Sequence, residues 1–257
     1  CNRYELDKPI SVRALKRFVA DYRAAHGGLH WEPPAVDRSL PPVAVIGSGP
    51  AGLSAAWELA RRGARVTVFE SLPVAGGMMA VGIPAYRLPR DVLRREIAAI
   101  QELGVEIRLN APLGPDLTLD DLFKQGYGAV FLGLGAHHSR RLGVPGEEAA
   151  GVVHAIDLLR VVCLAQEKKG DLRAAVEAGG LSIGRRATII GGGNSAVDAA
   201  RTLLRLGAEE VRIVYRRSRQ EMPAIPEEIA DAEEEGIVLE TLAAPVRILQ
   251  ENGRVTG

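Results

Sequence analysis

Twice in 257 residues, a short run of small and branched apolar residues leads straight into a glycine-rich turn and then into a helix-forming stretch. Val43-Ala-Val-Ile46 enters GSGPAG, and Ala187-Thr-Ile-Ile190 enters GGGNSAVD. A buried parallel strand reads as such an apolar run, and glycines between strand and helix let the backbone turn tightly. Each helix then runs to a stop at Gly63 or Gly207, and a second strand answers it at 65–69 or 211–215. The two units stand 144 residues apart, counted from Gly47 to Gly191. Strand, helix and strand alternating in this way predict an α/β fold with two Rossmann-like dinucleotide-binding units.

The spacing carries chemistry. Gly47, Gly49 and Gly52 form GxGxxG: one glycine for the turn, one for close approach to a diphosphate, one for packing helix on strand. The helix behind them offers free N–H groups and the positive end of its dipole to that diphosphate. A glycine triplet alone is weak evidence. Here a strand precedes it, a helix follows, and Glu70 lies 23 residues after Gly47. A ribose-binding carboxylate is expected ~20 residues on. The second unit repeats the pattern as Gly191, Gly193 and Ala196. Where an acid should close its second strand, the sequence reads Tyr215-Arg216-Arg217-Ser218-Arg219. A carboxylate there would repel a 2′-phosphate, whereas guanidinium groups bind one, so NADPH is the expected coenzyme of this unit.

Around the two units the sequence predicts a helix carrying Leu15, Phe18, Val19 and Tyr22, then a linker over 27–42. A glycine- and proline-punctuated loop covers 76–89, and Asp91 is expected to cap the helix that Gly104 ends. Strands are read at 105–109 and 129–134, with a Thr118/Asp121 capping box between them. Mixed helix follows to about Gly180, then an acidic helix at 227–235 and a strand at 237–242. Asn252-Gly253 marks a hairpin. The expected division is 1–38 as a helical tail with linker, 39–146 as the first nucleotide domain and 147–257 as the second.

Lys+Arg and Asp+Glu both number 32, so the formal charge is zero and the basic footprint of a nucleic-acid binder is missing. No apolar run approaches the ~20 residues of a membrane helix. The two cysteines, Cys1 and Cys163, exclude a disulfide framework and point to a reducing, cytoplasmic setting. Cys163 lies in LLRVVCLA and reads as core. Met78-Met79 read as packing residues, His137-His138 as a surface turn, and Glu233 to Glu235 as a solvated face. Asp198 fits an interior or a cap as well as a ligand.

Four segments, CNRYELDKPISVRALKRF, GGMMAVGIPAYRLP, GGGNSAVDAAR and YRRSRQEMPAIPEE, closely resemble the small-subunit (beta) family of glutamate synthase. That family's relatives include the amino-terminal half of dihydropyrimidine dehydrogenase and the large subunit of ferredoxin–NADP transhydrogenases. The resemblance covers essentially the whole chain. It implies FAD in the first unit, a nicotinamide coenzyme in the second, the second inserted into the first, and electrons leaving through [4Fe–4S] clusters. By the same resemblance, Gly47, Ser48, Gly49, Pro50 and Ala51 hold the FAD diphosphate and Glu70 its adenosine ribose. Gly77 and Met78 approach the flavin, Arg87 contacts the cofactor, and the Leu113 backbone meets the adenine. Gly192, Gly193, Asn194 and Ser195 hold the coenzyme diphosphate; the place of Arg216 and Arg217 at its 2′-phosphate is read from their position in the repeat. Cys1 becomes the last ligand of a cluster whose other cysteines lie upstream, and residues 1–38 the tail of its domain. The family's later glycine–aspartate segment has no counterpart, since the one Gly-Asp pair, Gly170-Asp171, follows no strand. The chain therefore reads as a piece of a longer polypeptide.

The implied activity is NADPH oxidation through FAD toward a cluster, a partner subunit or ferredoxin. Cofactors carry that chemistry, and no catalytic side chain is expected. A thioredoxin-reductase-type disulfide reductase shares both units but needs a cysteine pair near the flavin, commonly C-x-x-C. A non-catalytic nucleotide-binding or assembly module is the second alternative.

Overall fold

The computed structural model describes residues 2–7, 9–28, 32–166 and 171–256. A 3-10 turn at Asn2–Glu5 precedes α1 (Val12–Ala25), capped by the Ser11 side chain on the Ala14 N–H. Its amphipathic pattern is as expected, yet Leu15, Phe18, Val19 and Tyr22 are all more than half exposed.

The first unit runs β1 (Val43–Ile46), α2 (Pro50–Arg61), β2 (Val66–Phe69), α3 (Met78–Val81), α4 (Arg90–Gln101), β3 (Glu106–Arg108), α5 (Leu119–Lys124) and β4 (Ala129–Leu132). Its strands form one parallel sheet in the order β3-β2-β1-β4. Period-two alternation splits the core across the sheet. Val45, Val66 and Val68 pack with Ala56 and Ala60 of α2, while Ala44, Ile46 and Phe69 pack with Leu122 and Tyr127. On the edge strand β4, Phe131 and Leu132 stay exposed.

Two expectations here are corrected. The 76–89 loop contains the one-turn helix α3, and the cap of α4 is Pro89, whose extended backbone (ψ 135°) precedes the helix while Asp91 sits in its first turn. The Thr118/Asp121 capping box forms as read.

The second unit runs α6 (Ala155–Gln166), α7 (Leu172–Ala178), β5 (Arg186–Ile190), α8 (Asn194–Arg205), β6 (Glu210–Tyr215), α9 (Pro226–Glu234) and β7 (Val238–Thr241), with a 3-10 turn at Arg219–Glu221. Strands β5-β6-β7 are parallel. Val197 and Ala200 of α8 face Val211, Ile213 and Ile229, and Ala199 and Leu206 face α6 and α7. Asp171 caps α7, so it belongs to a helix start. The final hairpin, β8 (Gln250–Glu251) and β9 (Arg254–Val255), turns on Asn252 and Gly253, both at positive φ. It returns toward the joint between the units: the Ile248 N–H donates to Pro145 O at 2.8 Å and the Val255 N–H to Ala150 O at 3.0 Å.

Candidate functional site

The backbone geometry of the first glycine loop leaves no room for side chains at two positions. A methyl group on Gly52 would overlap the Gly47 carbonyl oxygen, and one on Gly47, at φ +97°, would overlap the carbonyl oxygen of Gly133 after β4. Gly49 differs. Its backbone is ordinary (φ −70°), and its nearest foreign atom to an added methyl is Gly77 Cα at 4.0 Å. Gly49 is also the N-cap of α2, and no side chain bonds the helix's free N–H groups. Tight packing behind and free helix N–H groups in front make a cradle suited to an anion. Pro50 occupies the first helical position, where its missing N–H costs nothing.

Ser48 ties this cradle to the next loop. It is fully buried; its hydroxyl donates to Glu70 Oε2 at 2.6 Å and accepts from the Gly76 N–H at 3.0 Å. The Ser48 N–H donates to the same Glu70 oxygen at 2.8 Å, and the Leu72 N–H and Ser71 Oγ donate to Oε1 at 2.8 and 3.2 Å. Burial opposes ionisation of Glu70, but these bonds together outweigh it and hold the carboxyl below the ordinary carboxylate range. A ribose hydroxyl would compete for Oε1, where the Ser71 bond is the longest of the set. Gly77, at φ +54°, comes so near Gly49 that an added methyl would stand 2.7 Å from Gly49 Cα. Met78 and Met79 pack on Leu53, Ala80 and Val81 as read. Leu113 lies beside this site: the neighbouring Ala111 N–H donates to Glu70 O at 2.8 Å, and the Leu113 side chain packs on the cluster of Ile46 and Phe69.

The second loop has the same plan. Gly193 is the N-cap of α8 with ordinary extended backbone (φ −92°, ψ 171°) and no capping side chain, and an added methyl meets no atom within 4 Å. Gly192 is covered by Tyr215, whose ring carbon would lie 2.5 Å from an added methyl. The Asn194 side chain accepts from the Ile225 N–H at 3.0 Å, which fixes the MPAIP segment against the loop. Ser195 follows in the first turn of α8. At the end of β6, Arg216 and Arg217 are exposed, and neither enters an ion pair among the described residues. Arg219, third of the run, is held by Glu233 at 2.6 Å. Cys1 lies outside the described residues, and no group of three or more His, Cys, Asp or Glu side chains suited to a metal occurs among those described.

Three of the segments singled out in the sequence meet at the contact between the units. Arg87, expected at the cofactor, places Nη1 2.7 Å from Asp198 Oδ2 and Nε 3.2 Å from Glu228 Oε1. Asp198 is 3% exposed, and its Oδ1 has no hydrogen-bond partner. Burial raises the Asp198 carboxyl above its ordinary value against the pull of Arg87. The Tyr86 ring lies under two guanidinium groups, with Cζ of Arg205 at 4.3 Å and of Arg201 at 5.0 Å from its centroid. Its hydroxyl is pushed up to about 12 by burial and the Asp198 charge. Arg201 pairs with Glu228 at 2.7 Å and with Glu235 at 2.8 Å. Glu233 to Glu235 are exposed as read, and Glu235 is paired as well: hydrogen bonds from Arg205 and Arg201 hold its carboxyl at about 2. Sequence reasoning missed this network. The available signal was Asp198, Arg201 and Arg205 at helical spacing on a helix whose neighbours are apolar.

Residues 41–256 match the family model for pyridine nucleotide-disulphide oxidoreductases. The chain belongs to that family. Among its relatives, NADP(+)-dependent formate dehydrogenase subunit beta of Moorella thermoacetica is 44% identical over 279 residues, covering all of this chain and 38% of that protein. The glutamate synthase [NADPH] small chain of Escherichia coli K12 is 35% identical over 251 residues, 96% of this chain and 52% of that one. The resemblance read from the four segments is thereby borne out. The chain spans less than two-fifths of the first of these relatives. Mycobacterium tuberculosis FprA, solved in complex with NADPH, has the same fold at a TM-score of 0.68 and 20% identity, over 84% of this chain and 62% of that one. No helix among the described residues is long and apolar enough to cross a membrane. The family's name mentions disulphides, yet Cys163 is buried in α6 and Cys1 lies outside the description.

Proposed function

We propose that the chain is the flavin- and coenzyme-binding module of an NADPH-dependent oxidoreductase, with FAD in the first cradle and NADPH in the second. The observation that supports it most is an asymmetry between two like sites. Both cradles present a helix N-terminus with no side-chain cap, but one is backed by the buried carboxylate of Glu70 and the other by Arg216 and Arg217. An acid at the strand end suits ribose hydroxyls, and a guanidinium pair suits a 2′-phosphate.

The two cofactors, when bound, would supply hydride transfer and single-electron release. The protein's part is to bind and orient. The α2 N–H groups and the Gly47–Ala51 backbone hold one diphosphate, and the closed Ser48–Glu70–Gly76 bonds fix the loop carrying Gly77 and Met78. The Leu113 backbone N–H and C=O, which bond nothing else among the described residues, are free for a purine edge. Gly192, Gly193, Asn194 and Ser195 hold the second diphosphate. Arg87 supports the site from the joint between the units.

By resemblance, Cys1 is a ligand of a [4Fe–4S] cluster in the complete cytoplasmic polypeptide, and electrons pass on to a partner subunit, a further domain or ferredoxin. The proposed division remains 1–38, 39–146 and 147–257. The complete polypeptide is expected to purify yellow and to release one FAD per chain on denaturation, measured by chromatography of the released flavin. A colourless protein that takes up no FAD when supplied with it would contradict the assignment of the first cradle.

A further inference from the structure

The 76–89 segment touches the first cradle and the helix that carries the second. At its start, the Gly76 N–H bonds Ser48 O at 3.1 Å and Ser48 Oγ at 3.0 Å, and Gly77 stands against Gly49. Its middle is held by Arg90, which donates to Met79 O at 3.0 Å and Ile83 O at 2.7 Å. There α6 of the second unit packs on it, with Leu164 against the Val81 cluster and Cys163 Sγ 3.7 Å from Ile83 O. At its end, Tyr86 and Arg87 reach α8. Asp198 lies one turn beyond Asn194, so Arg87 grips the helix whose N-terminus is the second cradle.

We propose that Tyr86 and Arg87, clasped by Asp198, Arg201 and Glu228, are positioning residues that fix the second cradle against the loop closing the first. This rests on the reading of the two cradles as FAD and NADPH sites. A salt bridge this well enclosed is poor evidence for stability, because desolvation offsets its attraction. Its value lies in direction: a guanidinium that faces two carboxylates on different helices favours one arrangement of the two units. The unpartnered Asp198 Oδ1 fits the same view, since the carboxylate is oriented entirely by Arg87 from the far side. Hydride transfer tolerates little misplacement; an error of about 1 Å costs on the order of 10²-fold.

The test uses the complete FAD-loaded polypeptide with Arg87→Gln, Asp198→Asn, their double variant and Arg87→Lys. Anaerobic stopped-flow is expected to show the limiting rate of flavin reduction by NADPH falling ~10- to 100-fold in each glutamine or asparagine variant. NADPH affinity should stay within about threefold, the double variant should be no slower than the worse single, and lysine should recover part of the rate. Hydrogen exchange without NADPH should quicken in both 83–89 and 194–202, a readout independent of turnover. An unchanged limiting rate, a loss confined to NADPH affinity, or additive effects in the double variant would overturn the proposal. If Arg87→Gln fails to hold FAD, Asp198→Asn and Arg87→Lys decide by the same criteria. Failure of the unsubstituted protein to be reduced by NADPH would instead sink the cofactor reading, while hydrogen exchange would still judge the clasp.

Discussion

Gly193→Ala is expected to fold normally, keep its FAD and lose NADPH, while Gly49→Ala folds normally and loses FAD. Both residues have extended backbone that alanine adopts freely, and neither added methyl meets an atom closer than 4.0 Å. As N-caps without a side-chain bond, each should cost about 1 kcal/mol or less in stability. The methyl enters the space a diphosphate must occupy against the helix N–H groups. Each charge-assisted bond displaced is worth ~1.5–3 kcal/mol, or about 10- to 150-fold in affinity, and a diphosphate takes several. Gly47→Ala and Gly52→Ala make the contrast. Their methyls meet backbone carbonyls, so fold and flavin should be lost together. Melting curves with flavin content and NADPH titration separate the two classes. FAD retained at full occupancy in Gly49→Ala would mean that the diphosphate lies elsewhere.

The second large effect concerns coenzyme choice. Arg216→Ala should lower kcat/KM for NADPH about 10- to 150-fold and leave NADH use nearly unchanged, the worth of one charge-assisted bond to a phosphate. Arg217→Ala should act in the same direction. Arg219→Ala should act weakly, because its guanidinium is already held by Glu233. Equal loss with both coenzymes would show that these arginines do not read the 2′-phosphate. The family assignment alone does not make this distinction among three neighbouring arginines; the ion pair to Glu233 does.

What the sequence displayed well is what short-range chemistry dictates. Strands β1, β2, β5 and β6, the glycine stops at Gly63, Gly104 and Gly207, the Thr118 capping box and the Asn252-Gly253 turn each depend on neighbours a few residues away. The cradles were legible for the same reason, since backbone crowding at Gly47 and Gly52 is written in spacing. Long-range partners were not. Arg87 and Asp198 are 111 positions apart, and nothing local distinguishes an arginine aimed at a cofactor from one aimed at a buried carboxylate. The pairing of the exposed Glu235 was hidden because its partners, Arg201 and Arg205, come from another helix. Ser48 seemed only a small residue between glycines, yet its hydroxyl links Glu70 to Gly76 because both converge on it from sequence distances of 22 and 28. The α1 periodicity was real, but an apolar stripe does not state what will cover it.

The most direct trial of the two-cradle account is a single anaerobic turnover of the complete, FAD-loaded polypeptide mixed with NADPH. The expected result is bleaching of the flavin by one equivalent of NADPH in the native protein and no bleaching in Gly193→Ala. Bleaching that persists unchanged in Gly193→Ala, or a native flavin that stays oxidised in excess NADPH, would contradict it.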